Sequence, residues 1–234
     1  MRYELALVVP IYNEERCIGQ VVESWRRTLS TIGMNHLLIL LNDGSTDNTK
    51  AELEPFSHEE WAQVIHKANS GHGPTILEGY AKAVDLADWV FQCDSDDEIR
   101  PDHLPGFWTI RESFDAVIGV RTGRVQSLGR SVISFCSRWT VRALFGKGVV
   151  DVNCPYRLIR SSVLKPILAR IPPDTFAPNV IISGALSHAG ARIHNEPVLH
   201  EGRRTGVVSI VRWRLWKAAI RSFLQTIRAS RKTS

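Results

Sequence analysis

The chain has 234 residues, is 44% hydrophobic and 23% charged, and carries a formal net charge of +5. A chain of this size can bury a full core without disulfide or metal staples, and its composition excludes the disordered, collagen-like and disulfide-scaffold classes. The charge is uneven: residues 1–202 hold 20 Lys and Arg against 24 Asp and Glu, whereas residues 203–234 hold nine Lys and Arg and no acid. A mildly acidic body thus ends in a basic tail suited to a polyanion or an anionic surface.

Leu5–Pro10 is almost entirely apolar, as expected of a strand buried on both faces. Glu14–Thr31 follows as a helix, with Ile18, Val21, Val22, Trp25 and Leu29 at helical spacing. His36–Leu41 is a second strand running into the turn cluster Asn42–Asp47, which also supplies N-cap residues. Trp61–His66 is a third strand, Asn69–Gly73 a glycine-bearing turn and Pro74–Leu86 a helix. Asp88–Cys93 is a fourth strand ending at Asp94-Ser95-Asp96-Asp97-Glu98, and Ala116–Val120 is a fifth. Further on, the pattern predicts a helix over Val132–Phe145, a strand over Asp151–Arg160, helices over Ser161–Ala169 and Asn179–Ala189, and a late strand, Ile193–Leu199. Strands alternating with helices in this way specify an α/β domain with a largely parallel sheet.

Ser209–Arg228 places Trp213, Trp216, Ile220, Phe223, Leu224 and Ile227 on one helical face, flanked by Arg214, Lys217, Arg221 and Arg228. Such a helix suits either an anionic membrane surface or the protein's own core. The longest uncharged stretch, Thr175–Ala191, is interrupted by Pro178, Asn179, Ser183 and His188, so no bilayer span is expected. Arg2, Glu4 and Pro10 also make the opening residues unlike a signal peptide. Cys17, Cys93, Cys136 and Cys154 show no CxxC spacing and read as reduced thiols of a cytosolic protein.

The polar clusters fall where apolar strands stop. Ligands of open α/β sheets bind outside the carboxyl ends of the strands. Tyr12-Asn13-Glu14, Asn42–Asp47, Asn69–Gly73 and Asp94–Glu98 should therefore converge on one edge. The last cluster sets four carboxylates in five residues, which implies either a bound cation or a solvated turn before the helix that follows Pro101. If a cation, hard oxygen donors without a nearby His or Cys point to Mg²⁺ or Mn²⁺ shared with a diphosphate. Asp43 could bond a ribose or a base edge, and Gly44 would allow close backbone approach.

Val8-Val9-Pro10-Ile11-Tyr12-Asn13-Glu14-Glu15, Asn42-Asp43-Gly44-Ser45-Thr46-Asp47, Asn69–Gly73 and Asp94-Ser95-Asp96 follow one another at separations that resemble a family 2 glycosyltransferase. The resemblance implies a GT-A fold: a Rossmann-like, mostly parallel sheet flanked by helices, here with a C-terminal amphipathic helix. It implies that Pro10, Tyr12, Glu14, Asp43 and Asn69 hold the nucleotide. Asp94 would face the nucleotide-sugar and Asp96 would ligate the metal bridging its diphosphate, with Asp94 and Glu98 as further ligands. Arg121, Arg130, Asp151–Arg157 and Arg203-Arg204-Thr205-Gly206 resemble the dolichyl- and polyprenyl-phosphate hexose synthases. In that group Gln commonly stands at the position of Glu98 and an acid at that of Asn42. The implied reaction moves a hexose from a GDP-mannose or UDP-glucose type of donor to a lipid phosphate at the cytosolic membrane face. The implied division is a catalytic domain over residues 1–206, with a donor half 1–120 and an acceptor half 121–206, and a basic helix over 207–234.

The chemistry agrees with that expectation. A phosphate acceptor is already anionic near neutral pH and needs guiding cations rather than a strong base, and arginine forks suit phosphate. Arg121 would serve the reaction directly, and Arg130 with Arg203 or Arg204 would join it on the acceptor phosphate. Between Asp115 and Asp151 there are six Lys and Arg and no acid. Single attack at the anomeric carbon would invert configuration. Two other readings remain open. The same fold acting on a soluble, glycan or protein acceptor would need a general base, for which Asp151 is the lone candidate. A non-catalytic polyanion binder would use the tail alone. The acidic body and the lack of an aromatic–basic motif argue against nucleic acid. Loose apolar residues in the second half could serve lipid or a second subunit.

Overall fold

The computed structural model describes residues 2–123 and 148–201. The Val132–Phe145 and Ser209–Arg228 helices, Arg130, Arg203 and Arg204 lie outside the described residues. The elements in chain order are β1 (Tyr3–Ile11), α1 (Ile18–Ile32), β2 (His36–Asp43), α2 (Thr49–Leu53), β3 (Ala62–Lys67), α3 (His72–Leu86), β4 (Ala87–Gln92), α4 (Leu104–Ile110), β5 (Ala116–Thr122), β6 (Arg157–Arg160), α5 (Ser161–Leu168), α6 (Pro178–His188) and β7 (Ile193–Leu199).

The strands form one seven-stranded sheet in the order β3-β2-β1-β4-β6-β5-β7. All neighbours are parallel except β6, which runs antiparallel to both β4 and β5. Period-two alternation divides the apolar strand residues between two cores. Ala6, Val8, Ile39, Leu41, Val90, Ile118 and Ile159 pack on the face that carries α3, α5 and α6. Leu5, Leu7, Val9, Leu38, Leu40, Phe91 and Leu158 pack on the face that carries α1 and α4. Burial of both faces explains why the strands read as continuous apolar runs. On the second face, Phe91 meets Tyr156 edge-on at 4.6 Å between centroids, and Trp25 lies 5.5 Å from Phe91.

Most boundaries shift by one or two residues, and two expected starts move by four or more. The helix foreseen from Glu14 begins at Ile18, because the Glu14 carbonyl accepts the amides of Cys17 and Ile18 and makes the preceding residues a turn. The strand foreseen over Asp151–Arg160 is confined to Arg157–Arg160. Residues 151–156 instead fold around the Arg157 guanidinium, which draws the carbonyls of Val152 and Cys154 out of any ladder. Among the described residues no helix is long and apolar enough to cross a membrane.

Candidate active site

The four polar clusters meet at the carboxyl ends of β1, β2, β3 and β4. Asn13 ties the first to the second: its amide donates to Ser45 Oγ at 3.0 Å, and its Oδ1 accepts the Thr46 amide at 2.8 Å. Asn13 takes a left-handed backbone at φ 55°, as does Asp97 in the acidic turn. Non-glycine residues held in that region tend to gather at functional sites. Pro10 is buried within β1, Glu14 is buried beside the Cys17 thiol at 3.3 Å, and Tyr12 stands exposed at the rim.

Asp43, at the end of β2, organises the next loop. Its Oδ1 accepts Lys67 Nζ and the Ser70 amide, both at 2.8 Å, and its Oδ2 accepts the Gly71 amide at 2.9 Å. Asn69 Nδ2 donates to the Asp43 carbonyl at 2.8 Å. Burial opposes ionisation of Asp43, but the bonds from Lys67, Ser70 and Thr75 outweigh it and hold the carboxyl below its ordinary range. Asp43 and Asn69 are therefore wall-builders as well as candidates for nucleotide contact. Gly44 is required by this packing: it sits at φ +66°, and a Cβ there would lie 2.6 Å from the Asn69 amide nitrogen. Lys67 is not among the residues expected from sequence. Its only signal there is a cation closing an apolar strand beside a carboxylate at the end of the neighbouring one.

The loop built on Asp43 leads into α3, and His72 there lies 3.6 Å from Asp94 across the cleft. Asp94 follows β4 and accepts Gln92 Nε2 at 3.2 Å. The Asp96 carboxylate accepts the Glu98 amide at 3.2 Å. Asp94, Asp96, Glu98, Arg121, Tyr156 and His200 line one cleft. Glu98 turns toward His200, with 2.9 Å between Oε2 and Nε2. His200 is also unexpected, since nothing in sequence places a residue after β7 against the acidic turn. The end of β7 is clasped to that turn at three further points. The Glu201 amide donates to the Glu98 carbonyl at 3.0 Å, Arg100 pairs with Glu201 at 2.9 Å, and the Leu199 amide donates to His103 Nε2 at 3.2 Å.

The carboxylate oxygens suit a hard divalent cation, but against the expectation from sequence His and Cys do stand nearby: His200 and Cys93, whose thiol burial keeps protonated, line the cleft, and His72 approaches Asp94. Among the described residues no three His, Cys, Asp or Glu side chains stand close enough to hold a metal by themselves. One or two carboxylates completed by substrate phosphates is the usual Mg²⁺ arrangement. Across the cleft, Arg121 is largely buried and donates from Nε and Nη2 to the two oxygens of Asp151, at 2.8 and 2.9 Å. This bidentate pair makes Asp151 a poor proton acceptor. Burial works against the Arg121 charge, but Asp151 more than compensates and raises its pKa.

The sequence model for glycosyl transferase family 2 matches residues 6–167, which takes in the carboxyl ends of β1 to β6 and the acidic turn but not β7. The chain belongs to that family. Among its curated relatives, the undecaprenyl-phosphate 4-deoxy-4-formamido-L-arabinose transferase of Yersinia enterocolitica is 27% identical over 207 residues, covering 86% of this chain and 60% of the relative. The protein of the same description from Pectobacterium atrosepticum is 28% identical, covering 86% of this chain and 61% of the relative. This family 2 chain thus spans about 60% of the length of those relatives. In structure it resembles the glucosyl-3-phosphoglycerate synthase of Mycobacterium tuberculosis solved with Mn²⁺, UDP and phosphoglyceric acid. The TM-score is 0.72 at 18% identity, over 97% of this chain and 78% of the other. The fold is GT-A, as the motifs implied.

Proposed function

We propose that this family 2 chain is a divalent-metal-dependent glycosyltransferase that moves a sugar from a nucleoside-diphosphate donor to a polyprenyl phosphate at the cytosolic face of a membrane. The observation that carries the reading is the opposition, across one cleft, of the Asp94–Asp96–Glu98 turn and Arg121. The relatives named above act, by their names, on undecaprenyl phosphate. Their sugar is a formamido-arabinose rather than mannose or glucose, so the donor class proposed here is a nucleotide-sugar with its sugar left open.

In this mechanism Asp94 and Asp96, with Glu98 as a further candidate ligand, would hold a Mg²⁺ or Mn²⁺, which when bound would supply positive charge to offset that of the nucleoside diphosphate leaving group. Pro10, Tyr12, Glu14, Asp43 and Asn69 form the nucleotide wall. The acceptor phosphate oxygen attacks the anomeric carbon from the face opposite the diphosphate, inverting its configuration. Arg121 is the candidate cation for that acceptor within the described residues, and Arg130, Arg203 and Arg204, outside them, are the further candidates that the sequence offers. Pairing of Asp151 with Arg121 weighs against the reading in which Asp151 activates a hydroxyl of a soluble acceptor.

The test is a donor screen with Mn²⁺ and a short polyprenyl phosphate, read as acceptor-dependent release of nucleoside diphosphate. UDP- and GDP-linked hexoses and a formamido-arabinose donor make up the panel. Turnover with one of them is expected. Asp96→Ala should lower that turnover by about a hundredfold or more, and full activity in that variant would overturn the metal role.

A further inference from the structure

After the exposed Asp88, β4 runs apolar through Trp89, Val90 and Phe91 to its last residue, Gln92, which is fully buried. Directly across the antiparallel ladder stands Arg157, also fully buried. A guanidinium without water is costly unless every N–H is bonded. Here Nε donates to the Cys154 carbonyl at 2.9 Å, and Nη1 donates to the Asn179 carbonyl at 3.1 Å and to Ser183 Oγ at 3.4 Å. Nη2 donates to the carbonyls of Val152 and Cys154 at 3.2 and 2.7 Å. All of these acceptors are neutral. Burial lifts the Cys154 thiol to about 12, so it supplies no counter-charge.

From this cation the bonds run in two directions. One branch holds the carbonyls of residues 152 and 154, just beyond the Asp151 carboxylate that grips Arg121. The other passes through α6: Asn179 Nδ2 donates to Gln92 Oε1 at 2.9 Å, and the Tyr80 hydroxyl lies 3.3 Å from Asn179 Oδ1 and 3.4 Å from Gln92 Oε1. With its oxygen so engaged, the Gln92 amide presents Nε2 to Asp94 Oδ1 at 3.2 Å. Flipping both amides would face Gln92 Oε1 against the Asp94 carboxylate, so the carboxylate itself fixes the orientation.

We infer that Gln92, seated by Asn179 and Tyr80 on the frame built around Arg157, is a positioning residue that sets the Asp94 carboxylate for the metal and nucleotide. The inference rests on the donor-site reading above. The frame joins the anionic and cationic sides of the cleft through the protein interior, so it fixes their separation before any ligand arrives. It also explains why four polar side chains, Tyr80, Gln92, Arg157 and Asn179, occupy core positions.

The experiment is a double-mutant cycle on the full chain with Gln92→Met, which keeps length and removes the donor, and Asp94→Asn. Dissociation constants are measured by calorimetry for UDP and GDP in the presence of Mn²⁺, alongside thermal unfolding. Gln92→Met should weaken Mn²⁺-dependent nucleotide binding roughly tenfold and should have little further effect once Asp94→Asn is present. Unchanged binding in Gln92→Met, or additive losses in the double variant, would overturn the inference and leave the donor site standing. A wild-type chain that binds neither nucleotide with Mn²⁺ would overturn the donor-site reading and this inference with it. Should Gln92→Met not fold, Tyr80→Phe takes its place in the same cycle. A roughly threefold loss that vanishes beside Asp94→Asn is then the supporting result, and no loss or an additive one overturns the inference.

Discussion

At the scale of single residues, Asp43 shows how a loop is held by one buried charge. Its oxygens accept Lys67 and the amides of Ser70 and Gly71, so the anion is worth more in the folded chain than in the unfolded one. Its folded pKa lies below the ordinary 3.8 because those bonds outweigh burial, which acts the other way. The resulting stability is fully present above the unfolded pKa and is lost as pH falls through the lowered folded value. Thermal unfolding of wild type and Asp43→Asn from neutral to acid pH should therefore show a wild-type advantage that is constant near neutrality and shrinks below about pH 4. A constant gap down to the acid limit would contradict it. Asp43 itself is legible in sequence because turn residues after an apolar run are conspicuous. Lys67 is not, because the register that sets Lys67 beside Asp43 comes from pairing of strands distant in the chain. His200 and Gln92 escape for the same reason, since each acts through a contact with a neighbour that local periodicity does not encode.

At the scale of elements, α3 meets the segment after α5 so closely that only glycine fits between them. A Cβ on Gly73 would lie 2.2 Å from the Thr175 carbonyl oxygen and 2.4 Å from that of Phe176. Alanine is intrinsically better than glycine inside a helix by about 1 kcal/mol. The collision is with backbone, however, which cannot rotate away. Gly73→Ala should therefore destabilise the chain by about 1–3 kcal/mol despite its helix propensity, measured by urea unfolding, and a stabilised variant would refute the contact. The central strands β1 and β2 are legible because both sheet faces are covered there and their apolar runs are nearly unbroken. The Asp151–Arg160 segment misleads because its alternation resembles a strand, while the buried Arg157 takes the carbonyls a ladder would need. The late start of α1 is likewise a matter of local bonding: Glu14 has helical neighbours in sequence, but the amides of Cys17 and Ile18 both close on its carbonyl and make residues 14–17 a turn.

At the scale of the whole molecule, the uneven charge noted in the sequence now has an address for one of its halves. The carboxylates after β4 line the cleft, and Arg121 with Asp151 stands across it. The basic residues 203–234 follow directly on the clasp. We expect the full chain to co-sediment with vesicles containing anionic lipid, and a chain ending near Ser209 to bind them markedly less. Equal binding would remove the tail from the membrane role. The clasp itself has a consequence for where the unit of this fold stops. The family's sequence model matches to residue 167. Yet the acidic turn that precedes α4 leans on Leu199, His200 and Glu201, some thirty residues beyond that point. The edge strand and the turn therefore belong to one folding unit, because a boundary drawn at residue 167 would strip the turn of its brace.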